Sequence, residues 1–176
     1  MIHLIKGILT KEECSNLTNQ FDVDKHIKES FDDPNITGDS YGFAPSYNFN
    51  IYLNKLKSSV LKLNSNIDDL ININTWVREY KNNDYLKKHV DRTDISITMS
   101  ICLDSTINKE WPLSAEIDGI EYSFNANVGD AIVLFNADKI IHWRDQLICN
   151  ENDRVLQFFL HWRPVVYVTK KTKTII

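Results

Sequence analysis

The sequence predicts a mainly β protein with helices at its N-terminus, and two observations carry that prediction. After Asn66, short runs rich in β-branched or aromatic residues succeed one another: Ile71–Tyr80, Ile95–Leu103, Ile120–Phe124, Ala131–Phe135, Ile140–Trp143 and Arg154–Trp162. Turn-forming clusters separate them, at Asn82-Asn83, Asp118-Gly119, Asn127 to Gly129, Asn136 to Asp138 and Asn150 to Asp153. Many short strands punctuated in this way build a sandwich or a barrel. Before Asn66 the apolar residues recur instead at helical spacing. The expected architecture is a two-sheet β-core with the N-terminal helices packed on one sheet.

Each element has a local reason. Thr10-Lys11-Glu12-Glu13 fits a capping box, in which the Thr10 hydroxyl accepts from the Glu13 amide and the Glu13 side chain reaches back. Leu17 and Phe21 then follow Cys14 at helical spacing, which predicts a helix from Lys11 to Phe21. Asp32 to Ser46 contains Pro34, Gly38, Gly42 and Pro45 and is expected to be irregular. Phe49, Tyr52, Leu53, Leu56, Val60 and Leu63 mark an amphipathic helix from Phe49 to Leu63. Asp118-Gly119, between two alternating runs, predicts a type I′ hairpin.

Composition narrows the class. The 176 residues suffice for one domain with one core. A net charge of −4 argues against a dedicated duplex-binding protein, which needs a basic stripe, so nucleic acid is not an expected partner. Cys14, Cys102 and Cys149 are odd in number and far apart, which excludes a disulfide scaffold and a thiolate zinc site as expectations. The N-terminus shows no signal peptide, and the longest apolar stretches, Ala131–Phe135 and Val165–Val168, are too short to span a bilayer. A soluble, cytoplasmic protein is the expectation. The tail Lys170-Lys171-Thr-Lys173 reads as a solvated terminus.

The chemistry-bearing series is His89-Val90-Asp91, followed far downstream by His142 and then by Arg154. Residues two apart on extended backbone point to the same side, so His89 and Asp91 can reach one ion. Two imidazoles and one carboxylate suit Fe(II) with open coordination positions, and a fixed guanidinium suits a dicarboxylic acid. A zinc hydrolase also uses two histidines and a carboxylate, but its usual H-E-x-x-H helix is absent. A metal-dependent hydrolase or isomerase, and a jelly-roll binding module without catalysis, stay open as alternatives. His161, within Phe158-Phe159-Leu160-His161-Trp162, is a rival third ligand.

The stretch Trp76-Val-Arg-Glu-Tyr80-Lys-Asn-Asn-Asp-Tyr-Leu-Lys-Lys-His89-Val-Asp91 resembles the prolyl 4-hydroxylase-like branch of the Fe(II)/2-oxoglutarate-dependent dioxygenases. The order H-x-D, then Gly129-Asp130 with its apolar run, then His142, then Arg154 is similar to that family's whole site pattern, and Gly7-Ile-Leu-Thr-Lys-Glu-Glu-Cys14 to its N-terminal helix start. The resemblance implies a double-stranded β-helix (jelly-roll) core. One domain would span residues 1–176, helical over 1–66 and jelly-roll over 67–168. It implies that His89, Asp91 and His142 bind Fe(II), that Arg154 takes the distal carboxylate of 2-oxoglutarate, and that Tyr80 hydrogen-bonds to this cosubstrate. O₂ would be the co-reactant and hydroxylation of a C–H bond the outcome, on a peptidyl proline or a small metabolite.

Two departures from the family pattern stand out. Asn82-Asn83 replaces the usual turn glycine, and asparagine tolerates positive φ. Cys102 stands where a tyrosine is common. In that strand Ser96, Thr98, Ser100 and Cys102 alternate with apolar residues and would line the pocket, with Thr98 near the cosubstrate. Arg144 could meet an acidic or polar substrate or pair with Asp145; Arg78 is a second candidate substrate contact; Trp111 could be a rim aromatic or a packing residue.

Overall fold

The computed structural model describes residues 1–166. The expected solvated tail at Lys170 to Lys173 lies outside the described residues. In chain order the elements are β1 (Ile2–Ile5), α1 (Lys11–Asp24), β2 (Ile36–Thr37), β3 (Tyr41–Phe43), a 3₁₀ turn (Tyr47–Tyr52), α2 (Leu53–Leu61), β4 (Asp69–Tyr80) and β5 (Tyr85–His89). There follow β6 (Ile97–Ser105), β7 (Leu113–Ile117), β8 (Ile120–Phe124), β9 (Ala131–Phe135), β10 (Ile141–Arg144) and β11 (Val155–Val165). The strands form two antiparallel sheets. The larger has the order β1-β9-β6-β11-β4-β3, the smaller β2-β5-β10-β7-β8. This is the jelly-roll arrangement, with both helices on the larger sheet.

Pleating divides the larger sheet into two faces. On β6, Ile97, Met99, Ile101 and Leu103 face the helices, as do Leu156, Phe158, Leu160 and Trp162 on β11. They pack with Leu17, Phe21, Leu56 and Val60 into the main core. Burying a side chain of this size contributes about 1.5–3 kcal/mol, so this face supplies much of the stability. The opposite face carries Thr98, Ser100, Tyr80, Phe159 and His161 and looks into the space between the sheets.

Several expectations are met in detail. Thr10 caps α1, accepting from the Glu13 amide at 3.1 Å while the Glu13 carboxylate accepts from the Thr10 amide at 2.7 Å. Asp118 (φ 53°) and Gly119 (φ 75°) both lie in the left-handed region, as a type I′ turn between β7 and β8 requires. Asn83 (φ 71°) sustains the tight turn where a glycine was absent. All three cysteines are free. Among the described residues, no helix is long and apolar enough to cross a membrane.

Two local expectations change. The helix from Phe49 splits into the 3₁₀ turn and α2. The N-terminal part is also less helical than its spacing suggested: β1 pairs with β9, while β2 and β3 add to opposite sheets. Between these two strands the irregular segment crosses from one sheet to the other. Asp84, fully buried, fixes that crossing: its carboxylate accepts from the amides of Asp39 (2.7 Å) and Lys81 (2.6 Å). Gly38 is required there, because a Cβ would stand 1.9 Å from the Asp84 carboxylate.

Candidate metal centre and its cavity

His89 ends β5, and antiparallel pairing sets it directly opposite His142 on β10. Cross-strand partners share a face, so the two rings meet with centroids 4.3 Å apart. Asp91, two residues on, is held by its amide to the Ala137 carbonyl at 2.9 Å. Its Oδ1 lies 3.6 Å from His89 Nε2 and 3.7 Å from His142 Nε2. One donor atom from each residue falls within 4.8 Å of the others, so the three could hold a metal ion.

The surrounding bonds prepare these donors. His89 Nδ1 faces the Lys87 carbonyl at 2.9 Å and His142 Nδ1 the Ile140 carbonyl at 3.0 Å. A carbonyl only accepts, so each Nδ1 carries the proton and each Nε2 presents its lone pair to the centre. Thr98 donates to Asp91 Oδ2, leaving Oδ1 for the histidines. Burial disfavours charge throughout. It holds the His142 pKa below the ordinary value; at His89 the Asp91 carboxylate and the Lys87 carbonyl outweigh it and raise the pKa. Burial pushes the Asp91 carboxyl up, but its hydrogen bonds and the facing imidazoles win and keep it low. A neutral His142 and an ionised Asp91 are the forms in which a cation is bound.

His161 is not part of this cluster. Its Nδ1 lies 2.6 Å from Asn74 Oδ1, and burial pushes its pKa down to about 4, so it is a neutral wall residue.

The donors open into a cavity of about 480 Å³ between the sheets. Tyr80, Thr98, Ser100, Arg144, Phe159 and Arg78 line it, and the segment from Phe31 to Ile36 covers one side. Among the expected pocket residues, Cys102 instead lines a second cavity, and Ser96 lines neither. Arg78 is only 2% exposed, but its guanidinium fastens the covering segment: it donates to Ser40 Oγ at 2.7 Å and to the Phe31 carbonyl at 3.4 Å, and Asp33 lies at 3.8 Å.

The two remaining arginines lie in opposite surroundings, and Arg154 is not placed as its motif position suggested. Arg154 does not line the cavity. Its guanidinium binds Asp22 (2.6 and 3.1 Å), Asp104 (2.9 Å) and Glu79 (3.3 Å), on the helix side of the larger sheet. The reason is parity. Arg154 precedes Leu156 and Phe158 on the same face, whereas the inward positions are Val155 and Gln157. Arg144 shares parity with His142 and points inward. It is 3% exposed; Nη1 donates to the Trp111 carbonyl at 2.6 Å, and Nη2 is buried without a partner. No carboxylate among the described residues pairs with it, Asp145 included. Its closest ionisable influences are Tyr80 and Cys102, both pushed up by burial to about 12 and hence neutral. A desolvated guanidinium with a free N–H and no anion is costly, and an acidic ligand removes that cost. The alternation of His142 and Arg144 was the sequence signal for this placement.

No protein-family model matches the sequence, and no curated protein matches it. Solved structures do match. A viral collagen prolyl hydroxylase from Paramecium bursaria chlorella virus 1, in complex with 2-oxoglutarate, aligns over 93% of this chain and 96% of its own, with TM-score 0.69 and 15% identity. An oxidoreductase of the 2OG-Fe(II) oxygenase family from Burkholderia pseudomallei covers 97% of this chain and 88% of its own, with TM-score 0.73 and 10% identity. HygX from Streptomyces hygroscopicus, with nickel and 2-oxoglutarate bound, covers 91% and 82%, with TM-score 0.68 and 11% identity. Two sheets, their strand order and near-complete alignment at each comparison give this chain the double-stranded β-helix fold of the Fe(II)/2-oxoglutarate oxygenases.

Proposed function

We propose that this chain is an Fe(II)- and 2-oxoglutarate-dependent dioxygenase that hydroxylates a C–H bond of a small molecule or peptide. The observation that carries the reading is one cavity holding a His-Asp-His donor set together with a buried, unpaired guanidinium. His89, Asp91 and His142 would hold the metal, as the donor chemistry of Fe(II) favours. Arg144, rather than Arg154, would take the distal carboxylate of the keto acid. Tyr80, kept neutral by burial, can donate to the same carboxylate. Bound iron supplies the redox chemistry that couples decarboxylation of the keto acid to oxidation of a C–H bond. The balance is one O₂, one 2-oxoglutarate and one substrate C–H, giving succinate, CO₂ and the alcohol.

The protein's part is orientation and exclusion of water. Thr98 would fix the carboxylate ligand, the Lys87 and Ile140 carbonyls would fix the imidazoles, and Phe159, Leu113 and Leu134 dry the walls. Adding Fe(II) and then 2-oxoglutarate under anaerobic conditions should produce a visible charge-transfer band, and exposure to O₂ should release succinate. The His89→Ala variant should do neither. Native, folded protein that shows no band would rule the reading out, and substrate turnover without succinate would favour a hydrolase.

A further inference from the structure

A second cavity, of about 490 Å³, lies beside the first, and the two share no lining residue. Cys102, Trp111, Val155 and Gln157 contribute to its wall. Residues in contact form the partition between them. Ser100, of the first cavity, donates to Gln157 Oε1, of the second, at 2.9 Å. Trp111, of the second, meets two residues of the first: its ring lies 4.7 Å from the Arg144 guanidinium carbon and 5.0 Å from the Tyr80 ring. The indole is pinned, since its Nε1 donates to the Asp145 carbonyl at 2.7 Å.

Resting on the reading of Arg144 as carboxylate anchor, we infer that Trp111 is the end wall of the keto-acid site and sets the length of the diacid it admits. The indole, which lines the second cavity, stacks on the guanidinium of Arg144, which lines the first, so a carboxylate reaching Arg144 from the metal's cavity meets it with the indole alongside. The keto end of the acid would be held at the metal that His89, Asp91 and His142 could bind. A diacid one methylene longer must therefore bend or press its carboxylate toward the indole. Removing the indole joins the two cavities and supplies the missing room. The Arg144 bond to residue 111 uses the backbone carbonyl, so it survives a change of side chain.

The test is an anaerobic titration of the Fe(II)-loaded protein with 2-oxoglutarate and with 2-oxoadipate, its homologue with one more methylene. A hydrophobic site discriminates a methylene by roughly 10- to 200-fold, and the native protein should prefer 2-oxoglutarate within that range. Trp111→Ala should reduce the preference at least fivefold (about 1 kcal/mol) by improving binding of the longer acid. Trp111→Phe should keep most of it, and Trp111→Leu carries the test should the alanine variant not fold. A native protein indifferent to length, or variants that weaken both acids equally, would overturn the gauge and leave the oxygenase reading standing. Absence of a band with either acid in native protein would remove both.

Discussion

Arg144 and Arg154 lie ten positions apart, each at or beside a strand end, and their surroundings are opposite. Arg154 is saturated: Asp22, Asp104 and Glu79 surround it, and Lys25 and Lys81 bind Glu79 as well. Its pKa rises well above the ordinary value, chiefly through the Asp22 hydrogen bonds. It stitches α1 to the larger sheet. Arg144 has one backbone carbonyl, one aromatic face and one orphaned nitrogen. Burial lowers its pKa, and no carboxylate among the described residues opposes that. The comparison teaches that burial of a charge does not by itself mark a candidate ligand site; what sets Arg144 apart is burial without a counter-charge among the described residues.

The strongest way to break the comparison is Arg144→Met, which keeps bulk and removes charge. Losing a buried partner of a charged ligand costs about 2–5 kcal/mol, so the affinity for 2-oxoglutarate should fall roughly 100-fold. Affinity for Fe(II) should stay within about threefold, and the apo protein should melt no lower than native, since an unpaired buried charge is gone. Calorimetric titration and thermal melting read these separately; a large loss of apo stability would show that Arg144 is structural.

Arg154→Met is the mirror test. Glu79, only 3% exposed at its side chain, loses one partner while Asp22 and Asp104 stay near solvent, so the loss of stability should be about 1–3 kcal/mol. Chemical denaturation measures it. Keto-acid affinity should be unchanged, and a drop as deep as that of Arg144→Met would reverse the two roles. The smallest effect sharpens the picture at the metal. Thr98→Val removes the hydroxyl that orients Asp91, and Fe(II) affinity should weaken roughly tenfold with the fold intact. An unchanged metal affinity would show that Asp91 needs no such support.

Much of this was legible before any coordinates. The capping box of α1, the Asp118-Gly119 hairpin and the positive φ of Asn83 are decided by neighbours along the chain, so local chemistry suffices to read them. The His89-x-Asp91 pair was legible because two residues on extended backbone share a side. Parity also carried information that motif order obscured: Leu156, Phe158, Leu160 and Trp162 form one apolar face, and Arg154 belongs to it. The short β2 and β3 strands were not legible, because a two- or three-residue strand has too few positions to show a period and is stabilised only by the sheet edge it joins.

The sequence by itself determined the alternating faces, the turns and the same-side placement of His89 and Asp91, since these rest on backbone stereochemistry and side-chain chemistry within a few residues. Tertiary structure alone decided which arginine meets carboxylates and which faces the cavity. Pairing partners come from distant strands, and a guanidinium's role is set by the charges that folding brings within a few ångströms of it.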